Sequence, residues 1–130
     1  MVGWTMLSRK SENYLKAIMK IESENGYARI RDIAGFLNVK APSVTEMVKK
    51  LDKEGYVIYV KYGSINLTQK GNNVAQIAEN RHDHLKMLLM DIMKVPEKIA
   101  EKDASVLEHE LHDITIEKMK KFVNSGRRRP

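Results

Sequence analysis

The sequence contains no cysteine, which excludes a disulfide frame and any thiolate metal site; a bound ion must use imidazole, carboxylate, amide or backbone ligands. Aromatic residues are only 6% of the chain and prolines only three, against eight methionines, so the core is expected to rest on adaptable helix–helix contacts. No apolar run approaches the ~20 residues that span a bilayer. The opening Met1–Leu7 is too short for a secretory signal, and the expectation is a soluble cytoplasmic protein with no membrane partner. There is no Gly-rich phosphate loop, no cysteine nucleophile, and no Ser/His/Asp set that falls naturally into one pocket, which argues against an enzyme and leaves no role for a protein substrate.

What the chain does have is an uneven charge. Its 130 residues suit one domain, or a small domain with an added helical segment. Of the net +6, residues 1–71 carry 12 Lys+Arg against 7 Asp+Glu, while residues 72–130 carry 11 against 10. Arg127, Arg128 and Arg129 supply three of the latter positives. A basic front half joined to a mildly acidic back half fits a polyanion-binding module attached to something with another task.

The front half reads as a mainly α unit. A first helix begins near Ser8 or Ser11, buries Tyr14, Leu15, Ile18, Met19 and Ile21, and stops at Asn25-Gly26. A short helix, Arg31 to Leu37, is followed by a turn and a helix opening at Pro42, placed at the first helical position. In that helix Val44, Met47, Val48 and Leu51 fall at i, i+3, i+4 and i+7, an apolar stripe that must pack on something. The opposite face keeps Ser43, Thr45, Glu46, Lys49 and Lys50, groups that bond base edges and phosphates. Val57 to Val60 and Ile65 to Leu67, around a Tyr62-Gly63-Ser64 tip, predict a β-hairpin. A helix-turn-helix followed by a hairpin is a winged helix. Double-stranded DNA is the expected partner; a protein-contact role for the same fold is the alternative.

Thr68 should cap a long helix through Met93, whose apolar face (Val74, Ile77, Ala78, Leu85, Leu88, Leu89 and Ile92) is too extensive for a small domain alone and suggests a homodimer interface. Beyond it are expected a short helix opening at Pro96, a second from Ser105 to His112, a third from Ile114 to Val123, and a loose tail. The predicted organisation is residues 1–71 as a winged helix-turn-helix with a two-stranded wing, 72–124 as a helical metal-binding and dimerisation domain, and 125–130 as a basic tail. All four histidines (His82, His84, His109, His112) lie in the second half, and Ser105, Glu108, His109 and His112 would share one helix face. Imidazole with carboxylate suits Mn(II), Fe(II) or Zn(II).

The stretch GYARIRDIAGFLNVKAPSVTEMVKKLDKEGYVIYVKYGSINLTQKG, followed by Arg81-His82 and Leu107-Glu108-His109, resembles the diphtheria-toxin-repressor/manganese-transport-regulator family over about residues 10 to 123. That resemblance implies a homodimeric, metal-responsive repressor of metal-uptake genes that binds a palindromic operator, in the short form without a third domain. Mn(II) or Fe(II) is then the expected cofactor, with Zn(II) also suitable. It also implies that Pro42, Ser43, Thr45 and Glu46 face the major groove, Glu46 standing where glutamine is usual. Lys49, Arg31, Lys61 and Ser64 are placed for phosphates.

By the same resemblance His82, Glu108 and His109 match metal ligands, while Asn13, Ser105 and Glu101 stand where the family uses other ligand types. Lys16 and Lys86 fall where second-site carboxylates occur in manganese-type and iron-type members. One site from Asn13, Glu108, His109 and His82, completed by water or Ser105, is expected. An ion there would join the first helix, the connector and a dimerisation helix, setting the spacing of the two reading helices. Two alternatives stand beside it: a metal-independent member in which Lys16 replaces the ion, and a MarR-like regulator with an organic effector.

Overall fold

A computed structural model of the chain describes residues 7–127. Six α-helices and a two-stranded antiparallel sheet follow in the order α1 (Arg9–Asn25), α2 (Ile30–Leu37), α3 (Ala41–Lys53), β1 (Val57–Tyr59), β2 (Ile65–Leu67), α4 (Gln69–Met87), α5 (Glu97–Glu110) and α6 (Asp113–Arg127). The chain forms two compact units, residues 1–77 and 78–130, and α4 begins in one and ends in the other.

In the first unit local chemistry sets the helix limits. The Ser8 hydroxyl accepts from the Ser11 backbone N–H and caps α1, and Gly26, at a φ of 85°, closes it in the left-handed conformation that glycine adopts without a Cβ penalty. The Arg29 backbone N–H donates to the Asp32 carboxylate at 3.1 Å, so α2 starts one residue before the expected Arg31. The third helix starts at Ala41, which makes Pro42 the second helical residue instead of the first. Its N–H would be unsatisfied there too, so the proline is equally tolerated.

Leu15 and Ile18 of α1, Ile33 of α2, Val44, Val48 and Leu51 of α3, Val57 of β1 and Ile65 of β2 are all but completely buried in one core. Each such side chain contributes roughly 1.5–3 kcal/mol of transfer free energy. The wing pairs Val57 with Leu67, Ile58 with Asn66 and Tyr59 with Ile65. It is pinned by an isolated bridge between Ala28 and Ile65, and by the Asn66 amide donating to the Glu22 carboxylate and the Gly26 carbonyl. Thr68 caps α4 as expected, accepting from the Gly71 N–H while donating to the Gly55 carbonyl.

The second unit departs from expectation in three places. The long helix ends at Met87 and passes into a π-helical turn, Leu88–Ile92, whose Leu88 carbonyl accepts from the Met93 N–H. Lys94 then takes a positive φ of 62°, and Val95 precedes a proline, so the helix cannot continue. The two helices predicted on either side of Ser105 are one helix, α5. It contains no Gly or Pro, and Ala100, Ala104 and Glu108 run down one buried face at four-residue intervals. It stops at Glu110, which leaves His112 outside it and breaks the predicted shared face of Ser105, Glu108, His109 and His112. The last helix runs to Arg127, past the expected end at Val123; the rest of the basic tail, residues 128–130, lies outside the described residues.

Among the described residues no helix is long and apolar enough to cross a membrane.

Candidate functional site

The first unit presents a polar helix face beside a cationic groove. The α3 stripe of Val44, Met47, Val48 and Leu51 is turned into the core, and that burial leaves Pro42, Ser43, Glu46 and Lys49 exposed. A groove of about 550 Å³ is lined by Arg29, Ile30 and Arg31 at the start of α2, Thr45 and Lys49 of α3, and Tyr59, Lys61, Tyr62 and Gly63 of the wing. Of the eight residues expected to meet DNA, this groove brings together Arg31, Thr45, Lys49 and Lys61. Pro42, Ser43 and Glu46 line a neighbouring depression with Lys10 and Lys50. Ser64 is half-buried, and its carbonyl accepts from the Val60 N–H.

The Thr45 hydroxyl donates to the Ala41 carbonyl at 3.1 Å. With that hydrogen engaged, the oxygen is left as an acceptor and the methyl as an apolar contact, so the group is suited to a base edge and unsuited to a phosphate.

Several groove residues escaped the sequence reading. Arg29 lies 5.1 Å from the Tyr27 ring centroid, and Lys61 the same distance from that of Tyr62. Tyr62 is 87% exposed at the wing tip, and it, not the adjacent glycine, takes the left-handed turn conformation with φ 62°. The only signal for Arg29 is its place next to Ala28, and the bridge from Ala28 to Ile65 is a tertiary fact. Lys10 comes from α1, an element remote in sequence from the α3 face it flanks.

The second unit gathers His82 of α4 with Glu101, Glu108 and His109 of α5. The Glu108 carboxylate is fully buried and lies between two imidazoles, 2.9 Å from His82 Nδ1 and 3.1 Å from His109 Nε2. His82 Nε2 is 2.8 Å from Glu101 Oε2, and the other Glu101 oxygen is 2.9 Å from Lys86 Nζ. Both nitrogens of His82 meet carboxylate oxygens, and each of the two contacts needs a hydrogen between its atoms. Hydrogen bonding to Lys86 is the largest influence holding the Glu101 carboxyl below its ordinary 4.5; the charge of His82 adds to it, and partial burial opposes it. The same contact with Glu101 raises Lys86 above its ordinary 10.5, again against desolvation.

Of the six expected metal residues, four therefore meet. The Ser105 hydroxyl instead donates to the Glu101 carbonyl one turn back in its own helix, at 3.1 Å. Asn13 belongs to α1 in the first unit, where it lines a shallow depression with Arg9, Lys10, Tyr14, Leu37 and Val39. Among the described residues, no three His, Asp or Glu side chains are already disposed as ligands of one ion. In the second-unit cluster the carboxylates and imidazoles face one another. The donor set still suits a divalent ion. A buried carboxylate requires a cation, and two imidazoles that give up a proton to an incoming ion supply nitrogen ligands beside it.

Comparison with known proteins agrees with both halves. Residues 6–65 match the iron-dependent repressor N-terminal DNA-binding domain, and residues 68–130 the iron-dependent repressor metal-binding and dimerisation domain. An uncharacterised helix-turn-helix transcriptional regulator of Methanocaldococcus jannaschii, MJ0568, is 36% identical over 118 residues, covering 90% of this chain and 94% of its own. The transcriptional regulator MntR of Bacillus subtilis is 39% identical over 114 residues, covering 88% of this chain and 80% of that protein. The solved structure of the manganese regulator SloR superposes with a TM-score of 0.75 at 33% identity, covering 88% of this chain. This chain spans 53% of that longer one.

Proposed function

From the premise that this chain belongs to the iron-dependent repressor family, a family of DNA-binding transcriptional regulators, we propose that it acts as a homodimeric repressor of metal-uptake genes, binding a palindromic operator when loaded with Mn(II) or Fe(II). The observation that carries the reading is the polar face of α3 from Pro42 to Lys49, set beside a groove containing Arg29, Arg31 and Lys61. The helix supplies base contacts through Ser43, Thr45 and Glu46. The groove cations and Lys49 neutralise phosphates. Glu46 can only accept, which favours a cytosine amine at its position and distinguishes the preferred operator from one read by glutamine. Ser64 adds a wing contact. The MarR-like alternative with an organic effector is dropped, because the family match extends over the metal-binding half of the chain.

His82, Glu108 and His109 would hold the ion, with Ser105 as a further oxygen donor. The bound ion supplies a charge that replaces the imidazole protons around buried Glu108. Helix α4 explains why this matters for DNA: Val74 and Ala75 root it in the core of the winged helix, and His82 lies two turns further along the same helix. Restraining His82 therefore restrains a helix that the DNA-binding unit is built upon. Ordering of this kind raises affinity by reducing the free energy spent on it at binding. Two α3 helices spaced by about 34 Å would meet successive turns of a duplex.

The test is operator binding by fluorescence anisotropy with Mn(II), Fe(II) or Zn(II), and after chelation. The expected result is at least a tenfold loss of affinity on chelation, and the same loss in Glu108→Gln with metal present. Unchanged affinity in all conditions would support the metal-independent alternative, with Lys16 as the fixed cation. A salt-insensitive affinity would count against the DNA reading itself.

A further inference from the structure

We propose that Lys86 is a built-in cation that withdraws Glu101 from metal binding, so that the cluster takes no ion on its His82 Nε2–Glu101 side and any ion it holds belongs to the Glu108–His109 side. The inference rests on the metal-binding reading above and sharpens it.

His82 and Lys86 are four residues apart on α4, and Glu97 and Glu101 are four apart on α5, so each pair lies on one face of its helix. The pairs interlock. Lys86 Nζ lies 2.9 Å from Glu101 Oε1 and 3.5 Å from Glu97 Oε2, while Glu101 Oε2 is 2.8 Å from His82 Nε2. One carboxylate oxygen is thus engaged by an ammonium and the other by an imidazole. The Lys86 side chain is 27% exposed, against 70% for Glu97 and 50% for Glu101, so the cation is the most enclosed member of the three.

A divalent ion using Glu101 and His82 Nε2 would stand within a few ångströms of a tethered positive charge that cannot diffuse away. It would also have to break that charge's shortest ion pair. Buried or partly buried charges are poorly screened by salt, so this repulsion persists at physiological ionic strength. The ammonium provides for α5 what an ion would otherwise provide: positive charge shared by Glu97 and Glu101, next to the His82 helix. The tie between α4 and α5 is therefore present before any metal arrives.

The experiment counts ions. The full chain is titrated calorimetrically with Zn(II) and, separately, Mn(II), as wild type, as Lys86→Glu and as Lys86→Gln, after circular dichroism in EDTA has established that each variant folds. The expected result is one additional equivalent per protomer in Lys86→Glu, and a weaker additional equivalent in Lys86→Gln. Adding Glu101→Gln to Lys86→Glu should abolish the gain. If the glutamate variant does not fold, the neutral glutamine variant decides the matter by the same gain. A folded variant that gains nothing overturns the proposal, as does a wild type that already binds two equivalents per protomer. The wild-type count tests the metal-binding reading itself. The increment tests Lys86 whether that count is zero or one.

Discussion

Tyr14 shows how much one atom can matter. Its ring is 3% exposed in the core of the first unit, and among the described residues its hydroxyl is a buried group without a hydrogen-bond partner. An unmet buried donor costs about 1–3 kcal/mol, so Tyr14→Phe is expected to stabilise the protein, raising the thermal midpoint by roughly 2–6 °C in a circular dichroism melt. A lower midpoint would mean that the hydroxyl is bonded after all. Burial also pushes the phenol above its ordinary 10.0. Above that pH the unfolded chain releases a proton that the folded chain retains, so stability falls as pH rises, and Tyr14→Phe should remove that part of the alkaline slope. Gly71 is the opposite case, because a Cβ there would overlap the Tyr56 carbonyl and crowd Leu67. Gly71→Ala should cost about 1–3 kcal/mol in urea unfolding, as overpacking does. Neither effect was legible in the sequence, since each depends on atoms from other elements. The pairing of His82 with Glu108-His109 was legible, because the residue types and the family resemblance pointed the same way.

Among the elements, α3 was the clearest from sequence. Its apolar residues repeat at helical spacing, and burying them leaves one possible outward face. A prediction follows for that face. Lys49→Ala should weaken binding to every duplex roughly tenfold near 0.1 M salt and reduce the log–log salt slope by about one, measured by anisotropy at several salt concentrations. Glu46→Gln should instead change which operator variant is preferred. A uniform loss from Glu46→Gln would show that this side chain does not meet a base. The later helices were harder to read. The sequence reading places a helix start at Ser105, yet its hydroxyl donates back to the Glu101 carbonyl within an unbroken α5. The end of α4 likewise looked like continuous helix through Met93. The π-helical turn there depends on the Leu88 and Leu89 carbonyls accepting from Met93 and Val95, together with a left-handed Lys94, and has no periodic signature.

For the whole molecule the central expectation is a dimer. Ile99, Ile114 and Phe122 of the second unit are more than half exposed in the single chain, and Val106 is 48% exposed. Light scattering should give twice the mass of 15.0 kDa, and replacing Phe122 and Ile114 together with aspartate should yield monomers whose operator affinity falls sharply. A monomeric wild type would overturn the dimer. The sequence by itself determined the fold class, the helix with a polar outer face and the chemical type of the candidate metal donors. Those depend on periodicity, turn residues and side-chain chemistry, which are local properties. Only the tertiary structure decided which donors meet. It brought Lys86 onto Glu101 and Arg29 beside the wing, and it engaged Ser105 and Thr45 with their own helices. Such pairings depend on distances between segments remote in the chain, or on the rotamer a hydroxyl adopts once its helix is packed, and neither is carried by residue order.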